Sequence, residues 1–406
     1  MMQRFYRSIR GLAALPVLGA ILLQAASLTG CGTPSEGKKH STSVAFAPDS
    51  LKGSIGYARR FRLFRRGEVT VVEIMSGQEA YPDTLRYLLL PEGKPQPSGF
   101  AGYMVIHTPV RRIAVFSTTH AGFLDLLDQT GRIAGVSRSE LVNTPSLRQR
   151  IAEGKVTEIG MPFSPDQEAL LALDPDLVCA PALPSTRKAG YQALVQMNVP
   201  VLVVAEWLES SPLGRAEWIK LFGALVGKEE LAREQFAAIE SSYLKIAALS
   251  RNLSNRPTVL TGLPVKDSWY VPAGGSYVAA MLRDAGALYQ WRDLPGTGSV
   301  PLTIEAVWPV ALEADYWLNT GTVSTLDELV AVDSRFGQMR SVKERRVWNN
   351  NRQLNAAGGN AYWERGVVRP DLVLKDLVMI FHPGLLRAHG ISEGELTFYR
   401  EVKEHE

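Results

Sequence analysis

IGMPFSPDQEALLALDPDLVCA, residues 159–180, is the stretch that decides the fold. A second stretch with the same plan, VPLTIEAVWPVALEADYWLN, occupies residues 300–319. Each runs from a turn into a short apolar helix that opens near a glutamate, Glu168 or Glu305, and then passes through an aspartate into a buried strand. Two such helix-to-strand units predict two lobes of similar α/β build. Two lobes form a cleft, and each lobe carries one glutamate at an equivalent place.

Short apolar strands alternate with helical segments around the first stretch. Strand patterns lie at 113–117, 131–136, 176–180 and 199–204, and a new series starts at Pro257. Because strands that alternate with helices form parallel sheets, we predict an α/β fold of two Rossmann-like lobes with mostly parallel sheets.

A long helical segment follows Pro212 and separates the two predicted lobes. Its apolar residues recur at steps of three and four up to Ile246, and Gly227 divides it into two helices. One of these helices, about 20 residues and therefore about 30 Å long, is long enough to join the lobes.

A small β extension is predicted ahead of the first lobe. Apolar residues alternate on both sides of an Arg66–Gly67 turn, which is a hairpin signal, and two further strands lie at 85–90 and 103–107. The five arginines of this hairpin could contact anionic lipid, although a solvated strand face is the simpler interpretation. The predicted division of the chain is a signal peptide at 1–30, a tether at 31–50, the β extension at 51–110, an N-terminal lobe at 111–212, an inter-lobe helical segment at 213–250, and a C-terminal lobe with its tail at 251–406.

The first 30 residues have the pattern of a secretory signal peptide. Three arginines precede an apolar run from Gly11 to Leu23, which is short for a membrane span. The ending Leu28-Thr-Gly-Cys31 is typical of a bacterial lipobox, in which Cys31 is lipidated and becomes the mature N-terminus; an uncleaved anchor is the alternative. We therefore expect a protein of the periplasm or cell envelope that is lipid-anchored to a membrane and does not span it.

Composition narrows the class of protein. With Cys31 lipidated, Cys179 has no cysteine to pair with, and its strand pattern indicates a core residue. The chain has 46% apolar and 21% charged residues, as ordinary globular proteins do. A formal charge of +3 is too weak to indicate nucleic-acid binding. We expect a monomer.

The sequence shows no catalytic or cofactor motif. It contains no G-x-S-x-G elbow, no Walker loop and no H-E-x-x-H, and its six histidines are scattered. Neither a metal site nor an intrinsic cofactor is therefore predicted, and we expect no enzyme. The alternative is a cleft hydrolase with Glu168 and Glu305 as acid and base, which would need to come within about 10 Å of each other.

Aromatic and glycine residues indicate a binding cleft instead. They cluster at predicted loops of the second lobe, where glycines let a ligand approach the backbone and rings cover flat apolar surface, although a core position is an equal alternative for any one ring. In the first lobe, four polar residues end a strand where a helix begins, which is where open α/β sheets bind ligands; a Ser or Thr at this position is also an ordinary helix cap. His120 among them could also ligate a metal centre of the ligand. The predicted ligand-binding residues are Ser117, Thr118, Thr119, His120, Trp269, Tyr270, Gly275, Ser276, Tyr277, Tyr362 and Trp363.

From Ile113 to about Leu386 the chain resembles the substrate-binding proteins of bacterial ABC importers for iron-siderophore complexes and vitamin B12, the helical-hinge or class III periplasmic binding proteins. The β extension and the stretch LVMIFHP at 377–383 resemble the lipoprotein branch found in Bacteroidetes-type envelopes. The resemblance is carried by an ordered set of motifs: Ser117–His120 followed by FLDLL at 123–127, IAGVS at 133–137, DQE at 166–168, DPDLV at 174–178, Ala285–Gly286, Glu305 with Ala314–Asp315, and Arg369–Asp371.

This resemblance implies a function and partners. In that family a helix joins the lobes, which close only slightly on the ligand, and one glutamate of each lobe meets arginines of the permease; Glu168 and Glu305 match those positions. The histidine-rich sites of the metal-ion relatives are missing, so the implied ligand is a chelate or macrocycle: a ferric siderophore, haem or a corrinoid. The implied partners are an ABC permease and its ATPase. A lipoprotein that scavenges ligand without a permease is the remaining alternative.

Overall fold

The structure, a computed structural model, describes residues 55–77, 84–182, 194, 199–251 and 253–404. The predicted signal peptide, the lipidation site at Cys31 and the tether lie outside the described residues. One large hydrophobic core runs through the described part of the chain and includes residues from all three of its main sheets.

The first sheet is the predicted β extension. Its strands, in spatial order, are β1 (Phe61–Arg66), β2 (Val69–Met75), β3 (Thr84–Pro91) and β4 (Met104–Thr108). The predicted hairpin is confirmed, since β1 pairs antiparallel with β2 in an unbroken register. One face packs into the main core through residues such as Val72 and Tyr87, and the other face carries a smaller apolar cluster around Leu88.

The second sheet is entirely parallel. Its strands are β5 (Ile113–Val115), β6 (Ile133–Val136), β7 (Thr157–Glu158), β10 (Leu177–Pro181) and β11 (Val201–Val204). They lie in the order β11-β10-β5-β6-β7. Between β7 and β10 the chain makes a short hairpin of β8 (Gly160–Met161) and β9 (Ser164–Pro165).

The third sheet is parallel except at one edge. Its strands are β12 (Thr258–Thr261), β14 (Leu288–Tyr289), β16 (Tyr316–Leu318), β17 (Val347–Asn349) and β18 (Arg400–Glu401), in the order β14-β12-β16-β17-β18. Only β18 runs antiparallel to its neighbour. Between β12 and β16 the chain also forms a separate antiparallel pair of strands, β13 (Ser268–Pro272) and β15 (Ser299–Thr303). The predicted α/β class with mostly parallel sheets is confirmed.

The described α-helices connect these strands, and the long linker has the predicted division. Gly227 ends its first part with φ +70, a left-handed conformation that favours glycine at a helix end. The helix that follows packs against its predecessor and against the helix at 370–381. The helices are α1 (Thr118–Leu126), α2 (Pro145–Ala152), α3 (Gln167–Leu173), α4 (Pro212–Ala216), α5 (Ile219–Val226), α6 (Glu229–Ser250), α7 (Tyr277–Asp284), α8 (Ile304–Glu313), α9 (Leu326–Val332), α10 (Arg340–Lys343), α11 (Pro370–Phe381) and α12 (Leu385–Ala388).

The repeated stretches form the same structure twice, α3 followed by β10 and α8 followed by β16. Their aspartates also act alike. Asp176 Oδ2 accepts hydrogen bonds from the backbone N–H groups of Arg111 and Arg112 at 2.9 and 2.8 Å. Asp315 Oδ2 accepts one from the N–H of Thr258 at 2.8 Å. Each aspartate thus fixes the start of the neighbouring strand, β5 or β12, and this explains why the aspartate recurs.

Candidate ligand-binding site

The strand orders point to one edge of each parallel sheet. Strands β6 and β10 lie on opposite sides of β5 in the second sheet. In the third sheet, β14 and β16 lie on opposite sides of β12. Open α/β sheets bind ligands at the carboxyl ends of their strands, beside the strand where the order reverses. The loops that follow β5 and β12 are therefore the expected walls of a site.

The two carboxyl edges face each other in the structure. Thr119, just after β5, donates its hydroxyl hydrogen bond to the carbonyl of Trp363 at 2.7 Å. Asn355 Nδ2, after β17, donates to the carbonyls of Glu140 and Val142 at 2.8 and 3.0 Å. Residues 353–366, the crossing segment, therefore reach from the third sheet to the second.

A buried carboxylate fixes the crossing segment. Glu364 is fully buried and accepts hydrogen bonds from the N–H groups of Asn143 and Thr144, both at 2.8 Å, and from the Thr144 hydroxyl. Burial raises the pKa of the Glu364 carboxyl, while these donors oppose the rise. Gly122 also has to be glycine, because a Cβ there would lie 2.3 Å from the Glu364 carbonyl.

A cavity of about 260 Å³ lies at the carboxyl ends of β5 and β6. Its polar residues are Ser117, Thr118, Ser137, and Arg138, whose guanidinium pairs with Glu140 at 2.5 Å, and the Met161 thioether also lines it. Leu141 and Val142 line it beside the crossing segment. The full lining is Val115, Phe116, Ser117, Thr118, Ala121, Val136, Ser137, Arg138, Leu141, Val142, Met161 and Pro162.

Two of the four predicted polar residues of the first lobe line this cavity, and two do not. Ser117 and Thr118 do, and Ser117 also caps α1 by accepting a hydrogen bond from the Thr119 N–H at 3.2 Å. Thr119 is buried and holds Trp363. His120 is fully buried, and its Nδ1 lies 3.3 Å from the Cys179 carbonyl.

His120 is therefore a core residue, and its prediction as a ligand contact or metal ligand is wrong. It points toward β10 and lies 6.1 Å from the Phe222 ring on α5. Burial lowers its pKa to about 4, which keeps the imidazole neutral. Cys179 is buried as predicted.

Trp269 also belongs to the core. It has no exposed surface, contacts the rings of Trp317 and Phe336, and donates a hydrogen bond from Nε1 to the Thr261 carbonyl at 3.0 Å. Its predicted stacking on a ligand is wrong, because its ring is enclosed on all sides. The adjacent Tyr270 points the other way along the strand and is 50% exposed.

The glycine-rich turn before α7 is packed against the chain itself. A Cβ at Gly275 would lie 2.7 Å from the Gly296 carbonyl, and one at Gly274 would overlap the Arg292 carbonyl. Ser276 is buried and caps α7 by accepting a hydrogen bond from the Ala279 N–H at 3.2 Å. The prediction that Gly275 and Ser276 contact ligand is therefore replaced by a structural role for both.

Tyr277 and Tyr362 line a smaller cavity of about 20 Å³, enough for one water molecule. The guanidinium of Arg215 lies 4.2 Å from the centre of the Tyr277 ring and pairs with the buried Glu206 at 3.3 Å. Arg215 was not expected from the sequence, because nothing in its helical surroundings marks it. Tyr362 packs against Phe398, and burial raises the pKa of its hydroxyl.

Exposed aromatic side chains concentrate at the two carboxyl edges. In the described part of the chain, four aromatic residues are largely exposed: Phe163 (54%), Trp207 (41%), Tyr270 (50%) and Trp363 (49%). Phe163 lies between β8 and β9 in the connection after β7, and Trp207 follows β11. Tyr270 lies on β13 in the connection after β12, and Trp363 lies in the connection after β17. The sequence predicted Tyr270 and Trp363 but missed Phe163 and Trp207, whose position after a strand was the available signal.

Glu168 and Glu305 occupy equivalent, exposed positions. Each is the second residue of its helix, α3 or α8, and follows a capping side chain. Asp166 accepts the Ala169 N–H at 2.9 Å, and Thr303 accepts the Ala306 N–H at 3.3 Å. Both carboxylates are therefore available to a partner.

The described residues hold no group of three or more His, Cys, Asp or Glu side chains arranged to bind a metal ion. Across the same residues, no helix combines the length and apolar character that crossing a membrane requires.

The chain belongs to the periplasmic binding protein family, whose model matches residues 113–350. Two lipoproteins of Methanocaldococcus jannaschii, both uncharacterized, are similar to it. One is 26% identical over 69% of this chain and 67% of its own length. The other is 23% identical over 91% of each chain. These relatives and the family indicate a location in the cell envelope.

Solved structures share the fold. A possible iron-binding periplasmic solute-binding protein of Staphylococcus epidermidis has a TM-score of 0.51 at 20% identity and covers 67% of this chain and 99% of its own. The S. aureus protein IsdE, solved with heme, has a TM-score of 0.52 at 19% identity, and the match covers 67% of this chain and 98% of IsdE. The heme-binding protein RhuT of Roseiflexus has a TM-score of 0.51 at 19% identity, and the match covers 68% of this chain and 99% of RhuT. The family and these neighbours are solute-binding proteins rather than enzymes.

Proposed function

We propose that this protein is the substrate-binding lipoprotein of an ABC importer and captures an iron chelate, haem or a corrinoid between its lobes. The observation that carries the proposal is the placement of Phe163, Trp207, Tyr270 and Trp363 at the facing carboxyl edges of the two sheets. Aromatic rings cover flat, weakly charged ligands at a low cost in conformational entropy. The fold neighbours that bind iron or heme support the same ligand class.

The cavity at β5 and β6 supports a ligand with a polar rim. Ser117 and Thr118 supply hydroxyls at the start of α1, where backbone N–H groups favour negative charge. Arg138 adds a cation, partly neutralised by Glu140. Because the cavity is open and the exposed rings lie in connections at the same edges, a ligand larger than 260 Å³ can extend from it across the cleft.

A simple experiment tests the ligand class. The purified protein is screened for thermal stabilisation by ferric siderophores, haemin and corrinoids, and the visible spectrum of co-purified material is recorded. We expect stabilisation by one of these classes, because a ligand that binds only the folded state raises the unfolding temperature. If all three leave the unfolding temperature unchanged, the proposed ligand class is wrong.

The proposal includes a lipid on Cys31, delivery to a permease and its ATPase, and the action of a monomer. Intact-mass measurement of membrane-associated protein should show a diacylated Cys31 at the mature N-terminus, and an unmodified Cys31 would contradict the anchor. The Bacteroidetes-type origin of this branch stays a prediction. The alternative hydrolase is not favoured by the geometry, because Glu168 and Glu305 are both exposed at helix starts.

A further inference from the structure

Charge is unevenly distributed along the chain. Residues 51–110 contain eight Lys and Arg and five Asp and Glu, whereas residues 111–406 contain 31 Lys and Arg and 34 Asp and Glu. The β extension is therefore a cationic part of an otherwise acidic body. A cationic surface on an acidic body attracts partners of negative charge.

The cations of the extension lie on its outer side. The strand β1 is the edge of the first sheet. Arg62 on β1 and Arg86 on β3 lie on either side of Glu73, at 3.9 and 3.4 Å, and their side chains are 73% and 52% exposed. One carboxylate thus balances two arginines. This face is opposite the one that packs into the main core through Val72.

One more arginine adds to this surface. Arg66 is exposed, and within the described ranges no carboxylate pairs with it. Arg65 is exposed as well, but it points to the opposite face of β1 because it lies between Phe64 and Arg66 on the strand. The Arg66 guanidinium lies 5.5 Å from the centre of the half-buried Phe64 ring, which is next to it on the same face. Arg60 differs, because its guanidinium turns inward to the carbonyls of Leu208 and Gly77. We call Arg62, Arg66 and Arg86 the basic face.

We infer that the basic face binds the surface of a membrane that contains anionic phospholipid. The inference rests on the proposed lipid anchor, because Cys31 precedes Arg62 by only 31 residues in the chain. A lipid anchor keeps the protein near a bilayer, and a cluster of basic residues supplies a second contact that sets which part of the protein faces it. The extension, rather than either lobe, is then the side that rests on the membrane.

Vesicle binding of unlipidated protein tests the basic face by itself. The full mature chain with Cys31→Ser is mixed with phosphatidylcholine vesicles that contain or lack phosphatidylglycerol, and bound protein is measured by co-sedimentation. We expect binding only to the anionic vesicles, weakened by added salt. Replacing Arg62, Arg66 and Arg86 by Gln should weaken it roughly fivefold per arginine, about a hundredfold in all.

A matched control removes the same charge from the body. Arg292, Arg345 and Arg387 are 61%, 64% and 80% exposed and are replaced by Gln together. If this control triple weakens vesicle binding as much as the basic-face triple, or if the Cys31→Ser protein ignores anionic lipid, the inference is wrong. The mass measurement of Cys31 in wild-type protein reports on the anchor separately, so the two failures are distinguishable.

Discussion

Trp269 packs in the core beside the third sheet. Its ring contacts Trp317 and Phe336, and its Nε1 donates a hydrogen bond to the Thr261 carbonyl at the end of β12. Trp269→Ala should lower the free energy of unfolding by about 3–5 kcal/mol, because it leaves a cavity and an unpaired buried carbonyl. Chemical denaturation measures this loss. A decrease of less than 1 kcal/mol would place the ring outside the core.

His120 should make the protein acid-sensitive. Burial lowers its pKa from 6.5 to about 4. Between these two pH values His120 is therefore protonated in the unfolded chain but stays neutral in the folded protein. Stability is therefore unaffected by this group above pH 6.5 and falls as the pH decreases, by about 1.4 kcal/mol per pH unit until roughly pH 4.

The comparison of two histidine variants isolates this effect. His120→Gln keeps an N–H donor for the Cys179 carbonyl. Between pH 7 and pH 4.5 the decrease in its free energy of unfolding should be about 2–3 kcal/mol smaller than the decrease in the wild type. His107 is exposed, so His107→Gln should follow the wild-type curve. Identical acid dependence of the wild type and His120→Gln would contradict the buried neutral imidazole.

At the level of elements, the helices α3 and α8, with Glu168 and Glu305 as their second residues, are predicted to contact a permease. A carboxylate near a helix start is stabilised locally by the exposed N–H groups, which could account for either residue alone. Local stabilisation does not require both copies of the repeat to keep the glutamate exposed. Carboxylates that are desolvated against arginines of a partner can contribute more than about 1.5 kcal/mol of coupling.

The double variant Glu168→Arg with Glu305→Arg should therefore abolish stimulation of the permease ATPase and leave ligand affinity unchanged. The matched control is Glu229→Arg with Glu230→Arg, which reverses two exposed carboxylates in the first turn of α6. The control should keep full stimulation. Normal transport by the Glu168/Glu305 variant would exclude the docking role, and loss of ligand binding would favour the cleft or catalysis.

Elements whose patterns are local could be predicted from the sequence. The hairpin around Gly67, the division of the linker at Gly227 and the two helix-to-strand repeats each depend on periodicity or on a turn residue within one short segment. The fate of individual site residues could not. Gly275 packs against the Gly296 carbonyl, and Glu364 accepts a hydrogen bond from the Thr144 N–H. Contacts between residues so far apart in the chain leave no local pattern in the sequence.

The same limit explains the aromatic residues. Trp269 and Tyr270 are neighbours on one strand, so their side chains point to opposite sides, one into the core and one to solvent. Sequence alone could not decide which side was which, because β13 pairs with β15, which lies well beyond it in the chain. The prediction for His120 was wrong for a similar reason. In the first turn of α1, Thr118 lines the cavity, whereas His120 points toward the sheet.

At the scale of the molecule, the two lobes are joined twice. The linker helices connect them through the chain, and the crossing segment connects them again through Glu364, Asn355 and the Trp363 carbonyl. The cavity and the exposed rings lie where these connections bring the carboxyl edges of both parallel sheets together. A ligand that fills this space should contact Ser117 and Thr118 on one side and Tyr270 and Trp363 on the other.

Equilibrium titration of ring-removal variants tests this central claim most directly. With the ligand class found by thermal shift, Trp207→Ala, Tyr270→Ala and Trp363→Ala should each weaken binding by roughly 1–3 kcal/mol while leaving the unfolding temperature near that of wild type. Leu244→Ala serves as control, because Leu244 is a 42% exposed apolar residue on α6, away from the carboxyl edges. If all three ring variants bind as tightly as the wild type and the control, the ligand does not lie between the carboxyl edges and the proposed cleft is wrong.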